Sequence, residues 1–375
     1  MKIHHMIALL SAMTLSTTAP VRAGQLLYLA SHQDKTIVAY EVNDQTGGLT
    51  KKFSTNLPGN PGPLTFSPDA SFVYASVSGL KGDKAGVTTL KRAADGSLSQ
   101  LATATITSRS PHICTDKQGR FLLAAHYSAG DVTVYRIVDG ICTEELLDRR
   151  KTAHTAHCIG IDPSGRFIFV PHIKTNNVFQ FRLDAETGKL TPNDPPYADG
   201  PDKDHKYHAP RHYVHHPKLN VAYTSNETGG GITAWNFNPR TGTLSRFQTL
   251  STLPPDFDGK SFAADIQMTP NGRFAYVSNR DVTERKEGQA TEDTLAGVSL
   301  DPDTGRMKLI GYFPTAHIPR TFCIDLTGRF VYSAGQLSAT LFVYRIDQQT
   351  GKLNHFTTEK TGGAPIWVMC GNVGK

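Results

Sequence analysis

Apolar and polar residues alternate along most of this chain in short runs, each closed by a cluster of Asp, Asn, Pro, Thr or Gly. Period-two alternation over so few residues predicts half-buried β-strands joined by tight turns rather than helices. The pattern repeats. Alternating stretches at 36–42, 177–183, 231–237 and 340–346 run into the turns Asn43-Asp-Gln-Thr-Gly, Asp184-Ala-Glu-Thr-Gly, Asn238-Pro-Arg-Thr-Gly and Asp347-Gln-Gln-Thr-Gly, and shorter versions occur at 87–90, 131–137 and 296–300. A second hairpin also recurs, with its turn at Ser67-Pro-Asp, Asp116-Lys-Gln-Gly, Asp162-Pro-Ser-Gly, His216-Pro-Lys, Thr269-Pro-Asn-Gly and Asp325-Leu-Thr-Gly. After four of these turns comes Arg-Phe and an apolar strand: Arg120-Phe121, Arg166-Phe167, Arg273-Phe274 and Arg329-Phe330. Asp, Pro and Gly supply the turn dihedrals that other residues adopt poorly.

One hairpin of the second kind is missing from the series, but its two strands are present at the ends of the chain. Ala364-Pro-Ile-Trp-Val-Met-Cys reads as a first strand and Leu26-Leu-Tyr-Leu-Ala as a second. Pairing them would close a ring and leave no open sheet edge. Repeats of about 45–55 residues with four short strands each are the mark of propeller blades. The fold expected is all-β: a seven-bladed β-propeller, one domain over residues 24–375, closed by pairing of the N-terminal and C-terminal strands.

Residues 1–23 are expected to be an export signal: Lys2, His4 and His5, then an apolar run from Met6, then Val21-Arg22-Ala23 as a small-x-small cleavage site. That run is too short to span a bilayer, so the mature protein is expected in the periplasm or secreted, off the membrane. The formal charge is +6, or +4 once Lys2 and Arg22 leave with the signal, and no basic run or aromatic platform accompanies it, which argues against nucleic acid as a partner. The five cysteines contain no CxxC pair and read as buried small side chains.

Aligning the units on Pro68, Lys117, Pro163, Pro217, Pro270 and Leu326 exposes two columns. Six residues before the turn stand Gly62, Pro111, His157, Arg211, Ala264 and Arg320; ten residues after it stand Ser78, Tyr127, Ile173, Glu227, Arg280 and Gln336. In an antiparallel pair both columns lie at one end, so His157, Arg211, Glu227, Arg280 and Arg320 should meet on one rim of the central channel. The adjacent columns add His112, His212 and Asp265 on one side and His126, His172, Asn226 and Asn279 on the other. Framework positions should repeat from unit to unit, whereas positions that hold one asymmetric ligand should not. Asp199, Asp202, Asp204, His205 and His208 could in principle hold a metal, but their spacing matches no ligand template and a solvated loop is the better reading. No metal or other cofactor is expected. Gly259-Lys260-Ser261 lacks the leading glycine of a phosphate loop, and neither GxSxG nor HExxH occurs.

Ser110-Pro-His-Ile through Gly130-Asp-Val-Thr-Val, Pro210-Arg-His through Asn226-Glu, Ala263-Ala-Asp-Ile with Thr269-Pro-Asn-Gly-Arg, Pro319-Arg-Thr-Phe through Ala334-Gly-Gln, and Pro365-Ile-Trp-Val form an ordered set of unit-specific motifs. In these the chain resembles the β-propeller lactonases, which include the propeller-type 6-phosphogluconolactonases and the fungal carboxymuconate-lactonising enzymes. The likeness covers nearly all of the mature chain. It implies a seven-bladed fold and lactone-ring chemistry, hydrolysis rather than muconate cyclisation, with His157, Arg211, Glu227 and Arg280 matching the family's active-site positions. Arg320, His112, His126, His212, Asn226 and Asn279 are expected to bind substrate. His157 or Glu227 would serve as general base, and Arg211 and Arg280 would stabilise the oxyanion. The expected partner is a small-molecule lactone and the expected state a monomer. A non-catalytic propeller gripping a small anion or a protein is the alternative. Export sets this chain apart from an enzyme of cytoplasmic phosphorylated sugars, and the segments 197–208 and 281–293 are long and charged enough to reshape the rim.

Overall fold

The second strand of each unit is apolar on both faces, because a strand sandwiched between two neighbouring sheets has no solvent side. Gln25–Ser31, Phe121–His126 and Phe167–His172 are buried at every residue. The outermost strands, such as Leu49–Asn56 and Leu353–Lys360, alternate between exposed and covered positions. The computed structural model describes residues 24–202, 204, 207–286 and 289–373. The expected export signal, residues 1–23, therefore lies outside the described residues, as does His205.

Among the described residues there are 28 strands, all paired antiparallel, and no helix. They form seven four-stranded units. Sheet 2 spans residues 60–106, sheet 3 residues 112–151, sheet 4 residues 160–199, sheet 5 residues 208–251, sheet 6 residues 261–314 and sheet 7 residues 319–360. Sheets 5 and 6 are joined by a bridge between Thr228 and Phe262. Sheet 1 takes its first strand from the far end of the chain: Pro365–Asn372 pairs with Gln25–Ser31, with Gln25 opposite Asn372 and Tyr28 opposite Met369.

Each sheet packs on the next through its own apolar cluster. Leu26, Tyr28 and Ala30 of sheet 1 meet Leu64, Val73 and Ala75 of sheet 2. Ala222 and Trp235 of sheet 5 meet Phe169 of sheet 4. The last sheet packs on the first, where Phe330 and Tyr332 meet Leu27, Leu29 and Val368. Each fully buried Leu, Val or Phe in such a layer contributes about 1.5–3 kcal/mol, so the inter-sheet faces carry the stability.

The two repeated turns serve these interfaces. Asp116 Oδ1 accepts the backbone N–H groups of Arg120 and Phe121, and Asp162 and Asp325 do the same for Arg166-Phe167 and Arg329-Phe330. The arginine of each pair then reaches the outer turn of the following sheet: Arg166 donates to Pro239 O at 2.8 Å, Arg273 to Gln348 O at 2.8 Å, Arg120 to Ala185 O and Arg329 to Asp44 O. That outer turn is capped in turn by its own Asn or Asp, as where Asp347 Oδ1 accepts from Gln349 N and Thr350 N. Its glycine lies against the phenylalanine of the Arg-Phe pair, so the two sequence motifs are halves of one joint. Gly351 shows why only glycine serves. Its φ is +72°, and an added Cβ would lie 2.5 Å from the Phe274 ring. Gly351→Ala should therefore cost about 2 kcal/mol or more through strain and overpacking, read as a lowered urea midpoint at unchanged m-value; an unchanged midpoint would show that the joint is soft.

Candidate active site

The first strand of most units is bulged near its channel end. Pro210 pairs with Asn226, but the next paired residue is Tyr213, opposite Thr224. The same slip separates Pro61 from Leu64, Ala263 from Ile266 and Pro319 from Thr321. A bulge breaks strict alternation and re-aims side chains. It is how Arg211 and His212, adjacent in sequence, both come to line one cavity.

The cavity has a volume of about 260 Å³. His157, Arg211, His212, Glu227 and Arg320 line it, with Arg109 beside them. Pro63, Pro111, Tyr127, Ile366 and Trp367 supply an apolar side. Glu227 is thus the one carboxylate against three lining guanidiniums, which suits the site to an anionic ligand or to negative charge that develops during a reaction.

At its centre Arg211 Nε lies 3.0 Å from Glu227 Oε2, with the arginine side chain 1% exposed and the glutamate 17%. The charges are in contact, yet the N–H does not point along a hydrogen bond. Arg211 Nε and Nη1 and Glu227 Oε2 are all buried without a hydrogen-bonding protein partner. His157 Nδ1, His112 Nδ1 and His212 Nε2 share that condition. Leaving a buried polar atom unpaired costs roughly 1–3 kcal/mol. Six such atoms at and just behind one cavity mark a place built to be completed by a small molecule.

Arg280 is brought to the same carboxylate, Nη2 to Glu227 Oε1 at 3.3 Å, but it is not among the lining residues. Its Nε donates to Phe262 O at 3.1 Å and its Nη2 to Ala263 O at 3.3 Å, so it anchors Glu227 to the first strand of sheet 6. His112 also sits one layer back, its ring 5.6 Å from His212 and 5.5 Å from Trp367.

His126, Asn226 and Asn279 do not reach the cavity, which corrects the expectation that they bind substrate. Successive residues on a strand face opposite ways, so if Tyr127 and Glu227 face the channel their predecessors turn away from it. They form a repeated staple to the adjacent strand of their own sheet: His126 Nε2 to Thr133 Oγ1 at 2.8 Å, Asn226 Nδ2 to Thr233 Oγ1 at 2.8 Å and Asn279 Nδ2 to Thr294 Oγ1 at 3.2 Å. Tyr127 stood in the rim column without being put forward as a site residue, and Trp367 and Arg109 are lining residues that sequence reasoning missed. Aligning Pro365-Ile-Trp with Pro210-Arg-His would have placed Trp367 beside His212.

The surroundings hold the histidines neutral. Burial, then the nearby Arg211, presses His157 well below the usual histidine range. Burial and Arg211 bring His212 down to about 4 against the opposing pull of Asp265, and burial with His212 brings His112 to about 3. Burial, with Arg280 close by, lowers Arg320 to about 10.

Against this geometry the comparisons are decisive for family. The family described as Lactonase, 7-bladed beta-propeller, matches residues 22–370. The chain belongs to the seven-bladed β-propeller lactonase family. It is 34% identical over 350 residues to a 6-phosphogluconolactonase of Serratia proteamaculans (strain 568), covering 92% of this chain and 98% of that one. It is 33% identical over 347 residues to a 6-phosphogluconolactonase of Yersinia enterocolitica, covering 92% and 97%. The solved structure of a periplasmic gluconolactonase of Pseudomonas aeruginosa superposes with a TM-score of 0.82 over 94% of this chain and 100% of that one, at 22% identity, and shows the shared fold.

A base held neutral by burial keeps its proton-accepting form as the pH falls, until its lowered pKa is reached. The acid limb of kcat/KM for this lactonase-family enzyme should therefore lie near pH 4, with no inflection at the ordinary histidine value of about 6.5. An acid limb at pH 6–7 would mean that the cavity histidines are far better solvated than they are in this structure.

Proposed function

We propose that this chain is an exported lactonase that hydrolyses a small, sugar-type lactone to its hydroxy acid, working as a monomer in the periplasm or outside the cell and without a metal. We further read the pairing of Pro365–Asn372 with Gln25–Ser31 as closure of the propeller ring. The observation that carries the functional reading is the Arg211–Glu227 contact, in which a guanidinium lining the cavity keeps two buried nitrogens without a protein hydrogen-bond acceptor.

A lactone is a cyclic ester, and hydrolysis needs a water made nucleophilic and an oxyanion stabilised. Arg211 is placed to stabilise that oxyanion. Glu227, shared by Arg211 and Arg280, fixes the guanidinium, so it is already committed as an anchor; the proton of the attacking water then goes to a cavity histidine. Arg320 and Arg109 serve a remote anionic group or the product carboxylate, and Trp367 with Tyr127 offers the apolar side on which the C–H face of a sugar ring can lie. The named relatives act on a 6-phosphogluconolactone and the structural neighbour on a gluconolactone. The sequence reading of export favours an unphosphorylated substrate here.

His157→Ala and Glu227→Gln should each keep the fold and lose about 100-fold or more in kcat/KM on gluconolactone, the usual size of a proton-transfer or oxyanion contribution. A pH-stat assay with phosphorylated and unphosphorylated lactones reads both the loss and the preference. Turnover within a few-fold of wild type in both variants would remove these residues from the chemistry. Tight product binding without turnover by wild type would make the protein a binder.

A further inference from the structure

Two histidines line the cavity and carry a buried nitrogen without a protein hydrogen-bond partner, and they differ in what stands behind them. His157 lies among guanidiniums, and among the described residues no carboxylate hydrogen-bonds its ring. His212 is backed by Asp265: its Nδ1 donates to Asp265 Oδ1 at 2.8 Å, and both side chains are almost wholly buried. Asp265 is itself held on every side. Ile266 N donates to Oδ1 at 2.8 Å, Phe322 N to Oδ2 at 3.3 Å, and Gln267 Nε2 to both oxygens at 3.3 Å. With Nδ1 committed as donor, Nε2 carries the lone pair, and Nε2 is the atom with no protein partner. Asp265 also comes from sheet 6 and reaches across to sheet 5, so the contact orients His212 rather than merely filling space.

We infer that His212, positioned by Asp265, is the group that takes the proton of the attacking water, and that His157 acts beside it as a neutral hydrogen-bonding imidazole. This assignment rests on the lactonase reading above. A base must hold the proton it takes. An imidazolium at position 157 would form against Arg211, Arg320 and Arg280 with no carboxylate bonded to it, whereas one at position 212 forms against the Asp265 carboxylate. A neutral imidazole can still donate to a reacting oxygen. The step balances. Water oxygen bonds to the lactone carbonyl carbon while His212 Nε2 takes one of its protons, and the carbonyl electron pair moves to the oxygen facing Arg211. Collapse restores the carbonyl and breaks the bond to the ring oxygen, which leaves with the electron pair and takes the proton back from Nε2. The product is the open hydroxy acid.

The test is Asp265→Asn in the full-length mature protein. An amide cannot satisfy the site in either orientation, because its N–H₂ must oppose His212 Nδ1–H, Ile266 N–H or Phe322 N–H. The variant should lose about 100-fold or more in kcat on gluconolactone with little change in KM. Its acid limb should move to lower pH, since the carboxylate that supports the proton is gone. The charged and titratable groups facing His212 are Arg211, Arg320, His112, His157 and Asp265, and only the last is altered. His212→Gln, which can still donate to Asp265, should lose as much, and Asp265→Asn should add nothing further to it. Losses that multiply in the double variant, or an Asp265→Asn enzyme within a few-fold of wild type, would overturn the assignment. Nitrogen NMR of labelled histidine gives a readout free of activity and of Asp265→Asn folding. Wild-type His212 should carry its proton on Nδ1 with Nε2 bare, and a proton on Nε2 would overturn the assignment. If wild type turns over no lactone, the hydrolase reading falls while the tautomer still decides the His212–Asp265 pairing.

Discussion

A guanidinium and a carboxylate meet inside the channel at 3.0 Å, one 1% exposed and the other 17%. Charges so far from water are costly unless paired, and breaking such a pair by removing one partner costs about 3–5 kcal/mol. The protein keeps this pair without letting it become self-sufficient: the N–H vectors miss the carboxylate, and buried donors and acceptors beside the cavity remain without a protein hydrogen-bond partner. Arg280 completes the arrangement by holding the second carboxylate oxygen. The rest of the structure can be understood as the support that this contact requires.

That support is repetitive by necessity. Each sheet has two apolar faces and no stability alone, so each must be gripped by its neighbours. The Arg-Phe pair of one sheet and the Thr-Gly turn of the next make that grip at the outer edge, where Arg166 holds Pro239 O and Arg273 holds Gln348 O. Nearer the channel, His126 bonds Ser108 and Asn279 bonds Thr252, each on the segment arriving from the preceding sheet. Because these joints recur, the channel ends of the first strands are released from framework duty. Gly62, Pro111, His157, Arg211 and Arg320 all line one cavity while differing in chemistry, and bulges stand at Gly62, Arg211 and Arg320.

The sequence disclosed the parts that are periodic. Turn residues and alternation predicted four-stranded units, and counting six back and ten forward from each turn predicted that Arg211 would meet Glu227, as it does. Counting failed where a one-residue step mattered. His126, Asn226 and Asn279 sit one residue before the channel column, and the strand pleat turns them away from the cavity and onto the adjacent strand, a difference that composition does not reveal. His212 was expected at the site and lines the cavity, but its contact with Asp265 depends on bulges that the residue pattern gave no means of counting. Trp367 was missed because its strand, though paired with the N-terminal one, has no hairpin turn from which to count. The protonation of His157 and His212 was not legible at all, since it depends on burial and on Arg211, which only the folded arrangement brings together.

The central claim is that Arg211, held by Glu227, meets the oxygen on which negative charge develops. The most direct measurement is a crystal structure of the protein with a lactam analogue of gluconolactone, whose ring carbonyl resists hydrolysis. The account predicts the lactam oxygen within about 2.7–3.1 Å of an Arg211 nitrogen, with the ring on the Trp367 side and Glu227 unmoved. A lactam bound at the opposite opening of the channel, or one whose carbonyl turns away from Arg211 toward solvent, would contradict it.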